Sequence, residues 1–175
     1  SPYREYFEPY DYGDLSEFYP DYYISSDYSS DGGVETLQTA TVGNGIDIVL
    51  MGDAYSDREI ADGSYEADME YMYDNLFTQE PFKTYKDLFN VYYVNVVSMT
   101  EGYENSGAAL GGFFGDGTLV GGNDNKCFEY ALNAVSEDRM DEALIIVAMN
   151  SDAYAGTCYM YYPESSSGDY GSGIS

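Results

Sequence analysis

Three polar side chains follow predicted β-strands, in the positions where parallel sheets bind their ligands. Asp53 comes after the apolar run over residues 46–51, and Asn150 and Asp152 come after the run over residues 143–149. Because the carboxyl ends of parallel strands meet at one edge of a sheet, we expect these side chains to converge there. Asx side chains at such places bond to the backbone at strand ends, or they form a rim that holds a catalytic segment or a cation. Both roles stay open from the sequence.

The 175 residues contain no histidine. This composition excludes a Ser-His-Asp or Cys-His arrangement, a histidine-ligated zinc site and a histidine proton shuttle within the printed sequence. A hydrolytic mechanism would therefore have to use carboxylates or histidines from elsewhere.

Cys127 and Cys158 are the only cysteines. The first falls in the opening turns of a predicted helix and the second in the loop after the last strand, so both lie toward the same edge of the sheet. A disulfide between them would close a loop of about 30 residues and stabilise the fold by roughly 3–4 kcal/mol. Two buried thiols are the alternative. Neither cysteine is a convincing nucleophile, because only Lys126 is at hand to lower a thiol pKa.

Some acidic segments could supply oxygen ligands to calcium. Residues 116–117 and 123–125 are rich in Asp and Asn, but they lack the spaced ligands and closing Glu of an EF-hand loop. Turn and helix-cap roles are the alternative, because Asp, Asn and Gly are the preferred residues there.

The charge balance narrows the range of partners. With 32 Asp and Glu against 6 Lys and Arg, the net charge is −26, so nucleic acid and anionic lipid would be repelled. No apolar run approaches the roughly 20 residues of a transmembrane helix, and we expect no membrane insertion. The hydrophobic content of 44% is sufficient for one buried core in one domain.

The elements that must position these residues alternate between strand and helix. Helices are predicted over residues 65–77 and 123–135, and Ser56 with Glu59 has the spacing of a capping box. A Gly-rich excursion over residues 100–122 is too long for a simple turn. Buried strands are predicted over residues 46–51, 91–97 and 143–149. The resulting order β-α-β-α-β predicts an α/β fold with three layers and a mainly parallel, three-stranded sheet.

Residues 1–33 differ from the rest of the chain. Tyrosines alternate there with acidic residues, and neither the period of a strand nor that of a helix holds. We interpret this segment as an acidic, Tyr-rich linker or extension before an α/β domain over residues 34–175, with a recognition segment as the alternative. No signal peptide is found, so a secreted protein would be represented by its mature form or by an internal fragment.

Several segments taken in order carry a family resemblance. They are IDIVLMGDAYS (46–56), EPFKTY (80–85), FNVY (89–92) with VS (97–98), and DEALIIVAMN with SDAYAG (141–156). Together they resemble the secreted zinc metallopeptidases of the IgA-peptidase type, metallopeptidase family sixty-four, over about residues 34–175. The resemblance implies a zincin-like catalytic domain, protein or peptide substrates, and a secreted, periplasmic or bacterial cell-surface location.

In that family the catalytic zinc is bound by a His-Glu-x-x-His helix with a further downstream ligand, and the Glu is the general base. The resemblance places this helix after the segment that matches the end of the chain, so no catalytic, zinc-binding or cofactor-binding residue carries over. The chain is then the N-terminal part of the catalytic domain, inactive alone, with the remainder of that domain as a partner. Asp53, Tyr55, Asn150 and Tyr154 would support the site or line the cleft, with Asp152 also at the rim.

A different class of function stays open. The chain could be a complete, non-catalytic binding or adhesion module whose acidic loops take up calcium and whose tyrosines contact a partner. The absence of histidine and the Tyr-rich start motivate this alternative.

Overall fold

The computed structural model describes residues 23–102, 107–153 and 155–158. Its strands are β1 (Val34–Gln38), β2 (Ile46–Asp53), β3 (Phe89–Val94), β4 (Phe113–Phe114), β5 (Val120–Gly121) and β6 (Leu144–Met149). Its α-helices are α1 (Asp57–Ala61), α2 (Ser64–Leu76) and α3 (Asp124–Ala131), and short 3-10 helices occupy Lys86–Leu88 and Glu137–Glu142.

The central sheet has four strands in the order β1-β3-β2-β6. Strand β2 is parallel to both β3 and β6, which confirms a mixed α/β fold with a mainly parallel sheet. The prediction of three strands was wrong by one, because β1 pairs antiparallel with β3 at the edge. Its sequence, VETLQ, is mostly polar and partly exposed, so it lacks the apolar run by which the other three strands were found.

Strand β2 lies at the centre of the core and packs apolar side chains on both of its faces. Its side chains alternate between two buried clusters, as the two-residue period of a strand requires. Ile48 and Leu50 pack with Tyr65 and Met69 of α2. On the other face the cluster of Val49 and Met51 includes residues of α3. The order of predicted elements is thus the observed one, with helices packed on both sides of β2.

The boundaries of the elements differ from the predicted ones by a few residues. Helix α3 ends at Ala131 and gives way to turn bonds, such as the one from the Ala134 amide to the Ala131 carbonyl. Strand β3 begins two residues earlier than predicted and ends at Val94. Beyond it, Asn95 exchanges backbone bonds with residues 32 and 33 instead of continuing the ladder with β2.

Residues 23–33, the last part of the predicted linker, pack along the segment that follows β3. The Ser25 amide donates to the Met99 carbonyl at 2.9 Å, and Ile24 forms a bridge with Thr100. The Asp31 carboxylate accepts from the Val97 amide at 2.8 Å. Residues 1–22 lie outside the described residues. The prediction that they form a linker therefore stays a prediction.

Candidate functional site

The structure brings Asp53 and Asn150 together at the carboxyl edge of the sheet. The Asn150 amide donates to the Asp53 carbonyl at 3.0 Å. The Asn150 side chain donates to the Ala54 carbonyl and to Glu59 Oε1, each at 3.0 Å. Asn150 therefore joins the ends of β2 and β6 to the first turn of α1.

The Asp53 carboxylate is fully buried and accepts hydrogen bonds from uncharged donors. Its Oδ1 accepts from the amides of Ala54 at 3.0 Å and Leu110 at 2.9 Å, and its Oδ2 accepts from the Gly112 amide at 2.8 Å. No cation of the described residues pairs with it. Since buried charge must be compensated, these donors fix where the loop over residues 107–112 lies.

Ser98, at the end of the β3 segment, completes this arrangement and was not singled out from the sequence. Its buried hydroxyl donates to Asp53 Oδ1 at 3.3 Å and accepts from the amides of Ala54 at 3.0 Å and Ala109 at 2.9 Å. The available signal was positional, because Ser98 follows an apolar strand just as Asp53 does. Asp53 and Ser98 thus hold the same loop from two neighbouring strand ends.

The chain turns sharply between these groups at Ala54, which has φ of +65°. This left-handed conformation disfavours residues with a side chain, although alanine carries the smallest one. Both backbone groups of Ala54 form hydrogen bonds. Its amide donates to Asp53 and Ser98, and its carbonyl accepts from the Asn150 side chain and from the Gly102 amide. The turn brings the Ala54 amide to the Asp53 carboxylate and the Ser98 hydroxyl.

Glu59 connects α1 to the same edge. It forms a capping box with Ser56, in which the Ser56 amide donates to Glu59 Oε2 at 2.9 Å. Burial raises the pKa of Glu59, while the bonds from the Ser56 amide and the Asn150 side chain oppose that rise. The capping box predicted from the spacing is confirmed, and the bond to Asn150 is an additional role that the spacing could not reveal.

Glu101 and Arg58 form an ion pair at the outer side of this edge. The Arg58 guanidinium contacts both carboxylate oxygens, with Nη2 at 2.6 Å from Oε2. The Ser56 hydroxyl also donates to Glu101 Oε1 at 2.7 Å. Hydrogen bonding to Arg58 lowers the pKa of Glu101 despite its partial burial. Arg58 in turn lies over the Tyr23 ring, 4.2 Å from its centroid.

Tyr55 lies beneath the edge, between β2 and α2. Its hydroxyl donates to Asp68 Oδ2 at 2.8 Å, and its ring packs edge-on against Tyr65 with 5.0 Å between centroids. Burial, followed by the bond to Asp68, raises the pKa of the Tyr55 phenol, so it stays protonated near neutral pH. Asp152 is exposed in the loop after β6, and Tyr154 lies outside the described residues.

The two cysteines are free thiols, and the disulfide considered from the sequence is not formed in the structure. Cys127 is half-buried on α3 and Cys158 is exposed, so neither is the fully buried thiol of the alternative. Burial raises the pKa of Cys127 to about 12, which leaves little thiolate at neutral pH.

The acidic segments considered for calcium form a turn and a cap. Asn123 Oδ1 accepts from the Lys126 amide at 3.2 Å and caps α3. The Asp116 carbonyl accepts from the Leu119 amide at 3.3 Å in a turn that contains Gly117 with φ of +67°. These are the roles that residue preference offers as the alternative to ion binding.

The described residues do not fit a zinc site. Within residues 23–102, 107–153 and 155–158, no group of three or more His, Cys, Asp or Glu side chains is placed to hold a metal ion. The most deeply buried carboxylate, Asp53, already accepts bonds on both oxygens. The carboxyl edge of the sheet is thus a hydrogen-bonded framework for loops.

Comparison with known proteins places this framework in a family. No curated protein matches the chain. The model of the family described as IgA Peptidase M64 matches residues 34–165, which is more than half of the chain. The match begins at the first residue of β1 and extends past the end of β6. In the described part of the chain, no helix has the length and apolar character to cross a membrane. The chain belongs to the IgA peptidase M64 family of metallopeptidases.

Proposed function

We propose that the chain forms the scaffold of a secreted zinc metallopeptidase domain and that its zinc ligands come from residues outside the printed sequence. The family match over the whole sheet carries this proposal. Because the sequence has no histidine, a His-Glu-x-x-His helix must be supplied by further residues of the same protein. The reaction of the whole domain would be peptide-bond hydrolysis in protein substrates, as the family name indicates for its members.

The exposed edge of β6 supports this proposal. Among the described strands, β6 pairs only with β2, and its six residues are all apolar. Leu144 is 36% exposed and the other five side chains are partly exposed, whereas β2 is almost wholly buried. An unpaired apolar edge favours the addition of another strand. A further strand beside β6, with the zinc-binding helix against it, would extend this sheet into a three-layer zincin-like domain.

The role of the carboxyl edge follows from its bonding. Asp53, Ser98 and Asn150 contribute no reacting group in this proposal, because their polar atoms already bond to the backbone or to Glu59. They fix the loops that would form one wall of the substrate cleft. Fixed loops of this kind reduce the conformational entropy that a bound peptide would otherwise have to offset.

Metal content and proteolysis test the proposal directly. The 175-residue chain, purified with added zinc, is expected to hold no stoichiometric zinc and to leave casein intact. The longer protein from the same gene, with its His-Glu-x-x-His segment, is expected to bind one zinc per chain and to cleave casein. A variant of the longer protein in which that Glu is Gln should keep the zinc and lose the cleavage.

Two results would refute the proposal. One is a 1:1 zinc content with casein cleavage by the 175-residue chain, and the other is a gene whose continuation encodes no His-Glu-x-x-His segment.

Calcium binding is tested in parallel by thermal unfolding, and no rise in Tm is expected because the described carboxylates form no cluster. A saturable rise in Tm would instead favour the calcium-binding module.

A further inference from the structure

An exposed apolar hairpin stands at the carboxyl edge of the sheet. Strands β4 and β5 pair antiparallel, and the turn between them brings the Gly115 amide to the Leu119 carbonyl at 2.8 Å. Phe113 is 57% exposed and Leu119 is 55% exposed. Single exposed apolar residues are ordinary, but two large ones on one short hairpin form a candidate contact surface.

The hairpin is held in place at both ends. Its base follows the loop that Asp53 anchors through the amides of Leu110 and Gly112. Its far side contacts the segment after β6, where the Gly156 amide donates to the Thr118 carbonyl at 3.0 Å and the Thr157 hydroxyl accepts from the Val120 amide at 3.2 Å. The hairpin therefore has a defined position relative to the ends of β2 and β6.

Phe113 lies over Gly121 and keeps more than half of its surface exposed. The two residues are opposite each other in the β4–β5 pair, and a Cβ placed on Gly121 would come within 2.5 Å of the Phe113 ring. The ring therefore occupies space that only a residue without a side chain leaves open. Aromatic side chains have few rotatable bonds to order on binding, and they contribute strongly to interfaces.

The lack of basic residues around the hairpin favours a positively charged partner. Residues 107–123 contain Asp116 and no Lys or Arg, and the chain carries a net charge of −26. The two ion pairs of the described residues, Arg58–Glu101 and Arg139–Asp47, involve no residue of the hairpin. A second copy of this acidic chain would be repelled, whereas a basic segment would be attracted.

We propose that the hairpin surface of Phe113 and Leu119 binds a peptide segment in which a bulky apolar residue is flanked by lysine or arginine. The inference rests on the proposed function in treating that segment as part of a substrate, and it adds a preference near the cleft. The apolar side chain contacts the hairpin, while the flanking cations are attracted by Asp116 and by the net negative charge of the chain.

Fluorescence anisotropy tests the proposal with a short labelled peptide that has a central Phe between lysines, titrated with the 175-residue chain. We expect saturable binding that Phe113→Ser and Leu119→Ser each weaken about tenfold, the loss expected for one good apolar contact. Tyr71→Ser on α2 is the matched control, because Tyr71 is 70% exposed on another element. This variant is expected to bind as the unmodified chain does.

Peptide variants separate the apolar from the charged contribution. Replacing the central Phe of the peptide by Ala should weaken binding about as much as Phe113→Ser does, and replacing its lysines by Glu should abolish binding at low salt. Equal affinity of the Phe and Ala peptides would overturn the proposal. So would unchanged affinity of both hairpin variants, or a dimer in sedimentation that Leu119→Ser dissociates, because the occupant would then be a second copy.

The assay contains no zinc and measures no cleavage. Failure of the peptide to bind would therefore refute the hairpin proposal and leave the peptidase proposal standing. Failure of the longer protein to cleave casein would refute the peptidase proposal and the reading of the peptide as a substrate, and would leave peptide binding by the hairpin standing. The Tm of each variant is measured as well, and it should match that of the unmodified chain because both substitutions replace exposed side chains.

Discussion

Strand β2 carries an aspartate near each end, and the two are buried by different means. Near the amino end, Asp47 pairs with Arg139, with 2.6 Å between Oδ2 and Nε, and accepts from the Asn90 side chain at 2.9 Å. At the carboxyl end, Asp53 has no cationic partner and accepts from backbone amides and the Ser98 hydroxyl. Both carboxylates are almost inaccessible to solvent.

The difference shows how each edge is organised. Arg139 also donates to the carbonyls of Asn44 and Gly45, so the Asp47 pair fastens the turn before β2 to the 3-10 helix before β6. A charge pair of this kind joins two elements at one point. The neutral donors of Asp53 come from residues spread along a loop, so that carboxylate determines the path of the loop itself. The edge proposed to face substrate is the one whose loops are specified in this way.

The largest effect is expected for Asp53→Ala. The substitution leaves the amides of Leu110 and Gly112 without their acceptor in a buried site, so the free energy of unfolding should fall by about 4 kcal/mol. Urea unfolding followed by circular dichroism measures the loss. Asp141→Ala, at an exposed site in the Glu137–Glu142 helix, is the control and should change nothing measurable. A loss no greater than that of Asp47→Ala would break the comparison.

Asp47→Ala is expected to cost less, about 2 kcal/mol, because Asn90 and Arg139 keep carbonyl partners at Asn44 and Gly45. The two aspartates should also differ in their response to salt. Raising NaCl to about 1 M should reduce the stability difference between the wild type and Asp47→Ala, since it screens the partly exposed ion pair. The stability difference between the wild type and Asp53→Ala should not change with salt, because Asp53 has no cationic partner among the described residues. An equal salt response of the two variants would show that the two aspartates are not stabilised by different means.

Asn150→Ala should have a smaller effect, about 1 kcal/mol. Its partners retain other donors, because the Ala54 carbonyl still accepts from the Gly102 amide and Glu59 still accepts from the Ser56 amide. Urea unfolding again gives the value, with the exposed Asn133→Ala as the matched amide control. A cost comparable to that of Asp53→Ala would show that Asn150, instead of Asp53, organises the edge.

A third aspartate, Asp57, should change how the free energy of unfolding depends on pH in acid. Burial alone would raise the pKa of Asp57, but bonds from the Tyr23 hydroxyl and from the amides of Ser26, Asp27 and Arg58 lower it to about 2. A depressed pKa stabilises the folded state fully above the ordinary value of 3.8, and this stabilisation is lost as the pH falls toward 2. Unfolding measured between these pH values should show a shallower slope for Asp57→Asn than for the wild type. An identical slope would mean that residues 23–33 are held without Asp57.

The sequence predicted the parts of the fold that depend on local patterns. The runs that became β2, β3 and β6 are mostly apolar because residues on both faces of each strand pack into the two core clusters, and the capping box of Ser56 and Glu59 depends on adjacent residues alone. Strand β1 was missed because its pairing with β3 is long-range and its side chains are mostly polar. The packing of residues 23–33 was missed for the same reason, since its anchor, Asp57, is distant in sequence.

The candidate site was predicted in position more than in detail. Parallel strand order alone places Asp53 and Asn150 at one edge, and they lie there within bonding distance of the same turn. The bonding partners of Asp53 could not be predicted, because the amides of Leu110 and Gly112 lie 57 and 59 residues further along the chain. Ser98 has the same strand-end position, yet serine is too common in loops for its type to mark it.

The left-handed turn at Ala54 limits how this family member can vary. The residue is fully enclosed, and its backbone bonds to the segments that follow β3 and β6. A saturation library at this codon should therefore return glycine and alanine among folded clones and reject β-branched or bulky residues. Substitutions at exposed hairpin positions leave this turn untouched, whereas a larger side chain at residue 54 would disturb the loops after β3 and β6 at the same time.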